Sequence, residues 1–440
     1  MKKTDKARPQ IEDIPEPNLF RETFPIGQLP NILLDDHTIP MSQAKSIWVT
    51  DTTFRDGQQA RPPYSIEQIV DIYKLLAKLD GGAGIIRQSE FFLYSKKDRQ
   101  AVEACLEVGA AWPRVTGWIR AVKSDFKLVK QMGLTETGIL TSCSDYHIFL
   151  KLAKTRKQAM QQYLEVVMAA MEEGIVPRCH LEDITRADFH GFVLPFACEL
   201  MDLRAKYGID VRIRACDTLG YGLPWAQAAL PRSVPKIIHG LIHEAGVPGE
   251  LLEWHGHNDF HKVLSNPVAA WLYGCSSANA SLFGIGERTG NAPLEAMVIE
   301  AAQLGRRSPK INYPVITEIA DYFANKIGYQ IPTSYPLVGR DFNTTRAGIH
   351  SDGLMKNQEI YSAFDTMKFL NRPAEVAITD KSGAAGIKHW IDLHYGLAVA
   401  KDDARLMSIH QKVETEYETG RTTAISDDEM HAWYHEAFGT

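Results

Sequence analysis

The feature that most constrains this chain is a rhythm: from Ser46 onward, short strand-like runs alternate with longer amphipathic segments. Eight runs read as strands: Ser46–Thr50, Gly84–Arg87, Arg114–Trp118, Thr137–Leu140, Val176–Cys179, Val211–Arg214, Leu252–His255 and Ser277–Leu282. Helical patterns separate most of them. At Ser65–Leu79 the residues Ile66, Ile69, Val70, Ile72, Tyr73, Leu75 and Leu76 form one apolar stripe, and Thr155–Glu173 and Leu194–Tyr207 follow suit. Strands separated by helices call for a parallel sheet, and about eight such units favour closure into a barrel over an open, doubly wound sheet. No Gly-x-Gly-x-x-Gly follows the first strand, which argues against a dinucleotide-binding sheet. Near Ser308-Pro309 the rhythm stops. The expected architecture is α/β: a (β/α)8 TIM barrel over 46–308, preceded by an extended, Pro-rich arm over 1–45 and followed by a mainly helical C-terminal module over 309–440.

In such a barrel, chemistry sits at the C-terminal ends of the strands. The seventh run leads through Glu253-Trp254-His255-Gly256-His257-Asn258-Asp259. Residues two apart on a strand share a face, so His255 and His257 bring two imidazoles within reach of one divalent ion that lacks only a carboxylate. The first run leads into Asp51-Thr52-Thr53-Phe54-Arg55-Asp56-Gly57-Gln58-Gln59. Asp56 can supply the carboxylate, and Arg55 a cation for a developing oxyanion. Further polar stretches follow other strands: His180 to Arg186, Cys216 to Gly222, and the Gly-rich Gly284 to Ala292, where Asn291 offers a neutral oxygen. A bare His-x-His is common by chance; convergence of several stretches gives it weight.

Composition narrows the setting. The formal charge is −6 with no basic run of nucleic-acid type, so polyanion binding is not expected. Six cysteines show no Cys-x-x-Cys spacing, which suits reduced thiols. With no signal peptide and no apolar run of bilayer length, the expectation is a cytoplasmic enzyme acting on small molecules, without a membrane partner.

Together, Asp-Thr-Thr-x-Arg-Asp-Gly-x-Gln, Glu-Asp-x-x-Arg, Asp-Thr-x-Gly, His-x-His-Asn-Asp and Gly-x-Gly-Glu-Arg-x-Gly-Asn-Ala resemble the metal-dependent barrel family of isopropylmalate synthase, homocitrate synthase and hydroxymethylglutaryl-CoA lyase. They occur in the family's order over Ser46 to Gln303. The resemblance implies Asp56, His255 and His257 as metal ligands with Asn291 as a fourth, Arg55 on the substrate's keto oxygen, and Glu182 and Thr218 in the 2-oxo-acid pocket. Gln59 and His180 are assigned to that pocket as well. Pro336-Leu337-Val338-Gly339, Ala347 to Gly353 and Lys381-Ser382-Gly383 resemble the module that condensing members place over a neighbouring subunit's site. This implies acid–base roles for His350 and Tyr361, acetyl-CoA as co-substrate, and a homodimer or higher homo-oligomer. The lyase branch lacks that module.

Two arginines bear on the substrate. Arg178 lies four residues before Glu182, where the chain resembles homocitrate synthases, which implies an arginine for a distal carboxylate; strand alternation puts Arg178, His180 and Glu182 on one face. The segment Arg87-Gln88-Ser89-Glu90-Phe91-Phe92-Leu93-Tyr94 departs from the usual family pattern and resembles the divergent branch that contains citrate (Re)-synthase. Arg87 and Phe91-Phe92 are expected to shorten and recharge the pocket, favouring oxaloacetate over 2-oxoglutarate. The expected reaction is a Claisen condensation of acetyl-CoA with oxaloacetate, supported by a divalent ion: Mn2+ first, with Mg2+, Co2+ or Zn2+ as alternatives. A homocitrate or isopropylmalate synthase-like enzyme is the nearest other reading; an aldol-type lyase and a non-catalytic binding relative lie further off.

Overall fold

The computed structural model describes residues 8–439. The first seven residues of the expected arm and the terminal Thr440 of the C-terminal module lie outside the described residues. The chain divides into two compact units, 1–312 and 313–440, against an expected boundary between 308 and 309.

In the first unit, eight parallel strands close into a barrel in chain order. They are β1 (Trp48–Asp51), β2 (Ile86–Phe92), β3 (Arg114–Ile119), β4 (Glu136–Ser142), β5 (Val176–Glu182), β6 (Arg212–Asp217), β7 (Leu252–Gly256) and β8 (Ser277–Ala280). Closure is made by β8 lying beside β1, from Trp48 opposite Ser277 to Asp51 opposite Ala280. Helices cover the outside and bury their apolar stripes on the sheet. The helix Ile66–Asp80 begins where the sequence reading starts it, at Ser65, because Ser65 and Gln68 cap each other's backbone amides at 3.1 and 2.9 Å. It buries Ile69, Ile72 and Leu76.

The inside of the barrel departs from the usual filling of branched aliphatic side chains. Gln88 and Glu90 of β2, Glu136 of β4, Arg178 of β5, Arg214 of β6 and Glu253 of β7 meet in one ionic network. Arg178 reaches Glu90 at 3.2 Å and bonds Gln88 and Glu136, while Arg214 reaches Glu90 at 2.9 Å and bonds Glu253. Glu90, Arg178 and Arg214 are each 1% exposed, so these charges are compensated by one another rather than by water. Burial favours the neutral form of Glu90, but Arg214, with His180 and Arg178, holds its carboxyl well below the ordinary range. This filling explains why β2 runs to Phe92 and β5 to Glu182, beyond the ends expected from apolar runs. Their inward positions include polar and charged side chains, Gln88, Glu90, Arg178, His180 and Glu182, and only cross-barrel pairing reveals them as interior.

The arm forms no helix or strand over residues 8–47 beyond a single bridge between Leu34 and Ala228. It lies along its own barrel: the Glu12 amide donates to Gly191, Asn18 to Asp145 at 2.7 Å, and Ala44 to Trp271. Asp35 pairs with Lys236 and Phe24 packs 4.9 Å from the ring of Tyr221. The second unit is mainly helical, with Gly348–Lys356, Gly383–Tyr395, Ala404–Glu418 and Asp427–Phe438 gathered around Ile387, Trp390, Leu406, Ile409 and Met430. A two-stranded parallel pair, Thr344–Thr345 with Glu375–Val376, completes it.

Glu90 answers two buried arginines, so Glu90→Ala strips a carboxylate partner from both at once, leaving Arg178 to Glu136 and Arg214 to Glu253. We expect urea denaturation to report a loss of about 3–5 kcal/mol, the cost of breaking a buried ion pair from one side. An unchanged urea midpoint would show that the network is not dry.

Candidate active site

The C-terminal ends of the strands enclose a cavity of about 280 Å3, lined by Arg55, Asp56, His180, Glu182, His255 and His257 among others. Its first wall is built by the turn after β1. The Asp51 carboxylate accepts the Thr53 amide and the Ser89 hydroxyl, both at 2.9 Å, which folds Arg55 and Asp56 back over the barrel mouth.

Asp56, His255 and His257 converge so closely that one donor atom from each lies within 4.8 Å of the others. The two imidazole Nε2 atoms are 3.3 Å apart, and His257 Nε2 is 3.9 Å from Asp56 Oδ2. Asn279 orients His255: its Nδ2 donates to the Thr50 hydroxyl at 2.9 Å, so its Oδ1 accepts from His255 Nδ1 at 2.8 Å. The His255 proton is therefore on Nδ1, and the Nε2 lone pair faces the cluster. Burial, then the neighbouring His257, pushes His255 down to about 3, and burial also lowers His257. Burial alone would raise Asp56, but Arg55 and the two imidazoles outweigh it and hold the carboxyl low. At neutral pH the cluster is thus one carboxylate and two neutral imidazoles, the protonation state that ligates a divalent ion. Asn291 donates its Nδ2 to Asp56 at 2.5 Å, while its Oδ1 is buried without a partner among the described residues. An orphaned oxygen beside three donors fits a cation there. Gly286 makes the arrangement possible, because a Cβ at that position would overlap the Asn291 amide and stand 3.1 Å from Asp56 Oδ2.

Around this cluster stand the other expected residues. Arg55 Nη1 bonds Asp56 at 2.9 Å and its guanidinium lies 4.6 Å over the Trp118 ring. Its Nε is buried and unpartnered among the described residues. Glu182, at the end of β5, accepts from His147 Nδ1 at 2.8 Å and from the Ser142 hydroxyl. Burial raises Glu182, yet His147 and Ser142 bring it down to about 2, so it stays ionised. Thr218 accepts the Asp183 amide at 2.8 Å, and Gln59 and His180 also line the cavity. Burial and Arg214 push His180 down to about 3.

Arg87 and Arg178 are not brought to this cavity. On β2, Gln88 and Glu90 take the inward positions, so Arg87 has the opposite parity, and its guanidinium lies 3.8 Å over Trp48 near the strand starts. Arg178 does share a face with His180 and Glu182, but four residues below Glu182 is about 13 Å deeper, and there Glu90 and Glu136 occupy it. Of the two phenylalanines, Phe91 turns outward and stacks 4.8 Å from Phe54, and Phe92 lies edge-on to Trp118 at 5.4 Å. His350 and Tyr361 belong to the second unit, where their rings lie 4.3 Å apart. His147, Trp118 and Arg214 went unread in the sequence. Cys143-Ser144-Asp145-Tyr146-His147 directly follows β4, and the question put to the other strand ends would have found it.

Comparison with known proteins sets this geometry in context. The family model described as HMGL-like matches residues 46–322. Citrate (Re)-synthase of Syntrophus aciditrophicus is 55% identical over 427 residues, covering 96% of this chain and 68% of its own. Citrate (Re)-synthase of Clostridium kluyveri is 52% identical over 425 residues, covering 96% and 94% respectively. Among solved structures, the hydroxymethylglutaryl-CoA lyase of Pseudomonas aeruginosa superposes with a TM-score of 0.51 at 18% identity, over 66% of this chain and 95% of that one, a likeness of fold.

Because Asn279 orients His255, Asn279→Ala should weaken divalent-ion binding about 10–100-fold while leaving the barrel folded. Calorimetric titration with Mn2+ checks this, and unaltered affinity would remove Asn279 from the site.

Proposed function

This chain belongs to the HMGL-like family, and from that premise we propose that it condenses acetyl-CoA with oxaloacetate and water to give citrate and CoA. The observation that carries the reading is identity above 50% to two citrate (Re)-synthases over 96% of the chain. An intact Asp56–His255–His257 cluster supports it. It is an acyltransferase reaction in which the acetyl methyl carbon forms a bond to C2 of the oxo acid, and hydrolysis of the citryl thioester releases CoA.

With Asp56, His255 and His257 as ligands and Asn291 beside them, a divalent ion would supply a Lewis acid for the keto oxygen. Manganese is our first choice. Arg55 is poised to share that oxygen: Asp56 and Trp118 hold its guanidinium in place, and its buried Nε has no partner among the described residues. A fixed donor of this kind needs no reorganisation as negative charge develops. Glu182 is an acceptor, ionised and held by His147, and orients the substrate rather than protonating it. With Arg178 committed to Glu90 and Glu136, the arginine we assign to the distal carboxylate is Arg214, which lines the cavity and whose buried Nη2 lacks a partner among the described residues.

We assign removal of the acetyl methyl proton to His350 with Tyr361, whose rings already pair. Their supply by a neighbouring copy makes the working enzyme a homodimer or larger homo-oligomer. A cytoplasmic location belongs to the same reading: all six cysteines are free and buried, and no helix among the described residues is long and apolar enough to cross a membrane.

The decisive assay follows thiol release from acetyl-CoA with oxaloacetate, 2-oxoglutarate, 2-oxoisovalerate and pyruvate in turn. Release with oxaloacetate, abolished by chelator, is the expected result. Preference for 2-oxoglutarate would replace the substrate but keep the chemistry, and no release with any of them would remove condensation itself. In the same assay Arg55→Ala should lower kcat by about 10^2–10^3, the loss typical of one oxyanion donor, with an unchanged circular dichroism spectrum.

A further inference from the structure

At the opposite end of the barrel, the strand starts enclose a second cavity of about 300 Å3. Its lining includes Trp48, Arg87, Trp112, Arg114, Arg178 and Arg212, drawn from the starts of β1, β2, β3 and β6, from the loop just before β3 and from deeper on β5. The charges there do not balance. Glu136 is shared between Arg178 and Arg212, the latter at 3.3 Å, and Glu253 is taken up by Arg214. Among the described residues, no carboxylate forms an ion pair with Arg87 or Arg114. Asp80, which acts on Arg87 electrostatically, spends its oxygens on the amides of Gly84 and Ile86 at 2.9 and 2.8 Å.

Both guanidinium groups nevertheless stack on indole rings. Arg87 lies 3.8 Å over the Trp48 ring and 5.9 Å from that of Trp112, and Arg114 lies 4.6 Å over Trp112. Stacking fixes the planes and leaves the N–H edges available. Arg87 uses its Nε on Gly84 at 3.2 Å and one terminal nitrogen on Ser46 at 3.4 Å, so the other terminal nitrogen remains. Burial, then Arg212 and Arg114, lower the Arg87 pKa, and the nearby Asp80 offsets them only in part.

We propose that this cavity is a binding site for a small dianion, with Arg87 and Arg114 as its charge partners and Trp48 and Trp112 as their supports. Two unmatched guanidinium groups suit two negative charges, and planar forks suit carboxylate or phosphate oxygens. The site is separate from the Asp56–His255–His257 cluster, since it lies at the other ends of the strands and shares none of the cavity-lining residues.

Calorimetric titration of the chelator-treated protein tests this, with malonate and inorganic phosphate as probes and neutral malonamide as control. Saturable binding of at least one dianion is expected, with none for malonamide. The dianion that binds identifies the ligand as a dicarboxylate or a phosphate. Affinity should fall at least tenfold in Arg87→Gln/Arg114→Gln and persist in Arg55→Ala, which removes a cation from the other cavity. Arg114 is exposed, so Arg114→Gln alone gives a folded variant that should already weaken binding. Absence of saturable binding to the wild-type protein overturns the proposal. So does equal binding by the double variant, or loss of binding in Arg55→Ala.

Discussion

The barrel depends on a salt network where most barrels depend on aliphatic packing. Glu90 stands between Arg178 and Arg214, and Glu253 answers Arg214 from the next strand. Charges this deep carry a desolvation cost of several kcal/mol each, which only close, multiple pairing offsets. The pairing joins β2, β5, β6 and β7 across the lumen, so it ties non-neighbouring strands as well as neighbours. It also forms the floor of the upper cavity. His180 Nε2 stands 3.5 Å from Glu90, and Arg214 contributes both to the network and to the cavity wall. Side chains above such a floor have little room to relax, which is what a site requiring ångström placement needs.

The legible parts of this molecule were those encoded over a few consecutive residues. His255 and His257 share a face by strand parity alone, and the Ser65 cap follows from one residue and its third successor. The barrel itself follows from repetition. What parity does not state is depth and company. Arg178 satisfies every local criterion for a pocket arginine, but its strand position puts it beside Glu90 and Glu136, two residues from other strands. Arg87 is expected in the pocket from the unusual Arg87–Tyr94 segment, but strand parity turns it away from that cavity. Gln88 and Glu90 take the interior positions of β2 instead. Arg214 stayed hidden for a related reason: an arginine inside a barrel looks improbable until its carboxylates are found across the lumen.

The same distinction between position and company bears on how the upper site can receive its substrate. Asp56 is offset by Arg55, and Arg214 by Glu90 and Glu253, so the protein groups nearest the imidazoles are close to neutral together. The imidazoles are themselves uncharged, their protonated forms disfavoured by burial. A divalent ion seated there would then be the largest local charge, and would set the sign of the site. In the proposed reading a dianionic oxo acid would meet that sign, with its keto end beside Arg55 and its far carboxylate beside Arg214. An oxo acid with an apolar far end would instead leave the Arg214 Nη2 buried and unmatched, a cost on the scale that lets polar sites reject apolar analogues. On that assignment, selectivity for a dicarboxylic substrate would reside in the strand that also anchors the salt network. That coupling explains why a pocket-lining arginine here is also one of the least exposed residues in the barrel.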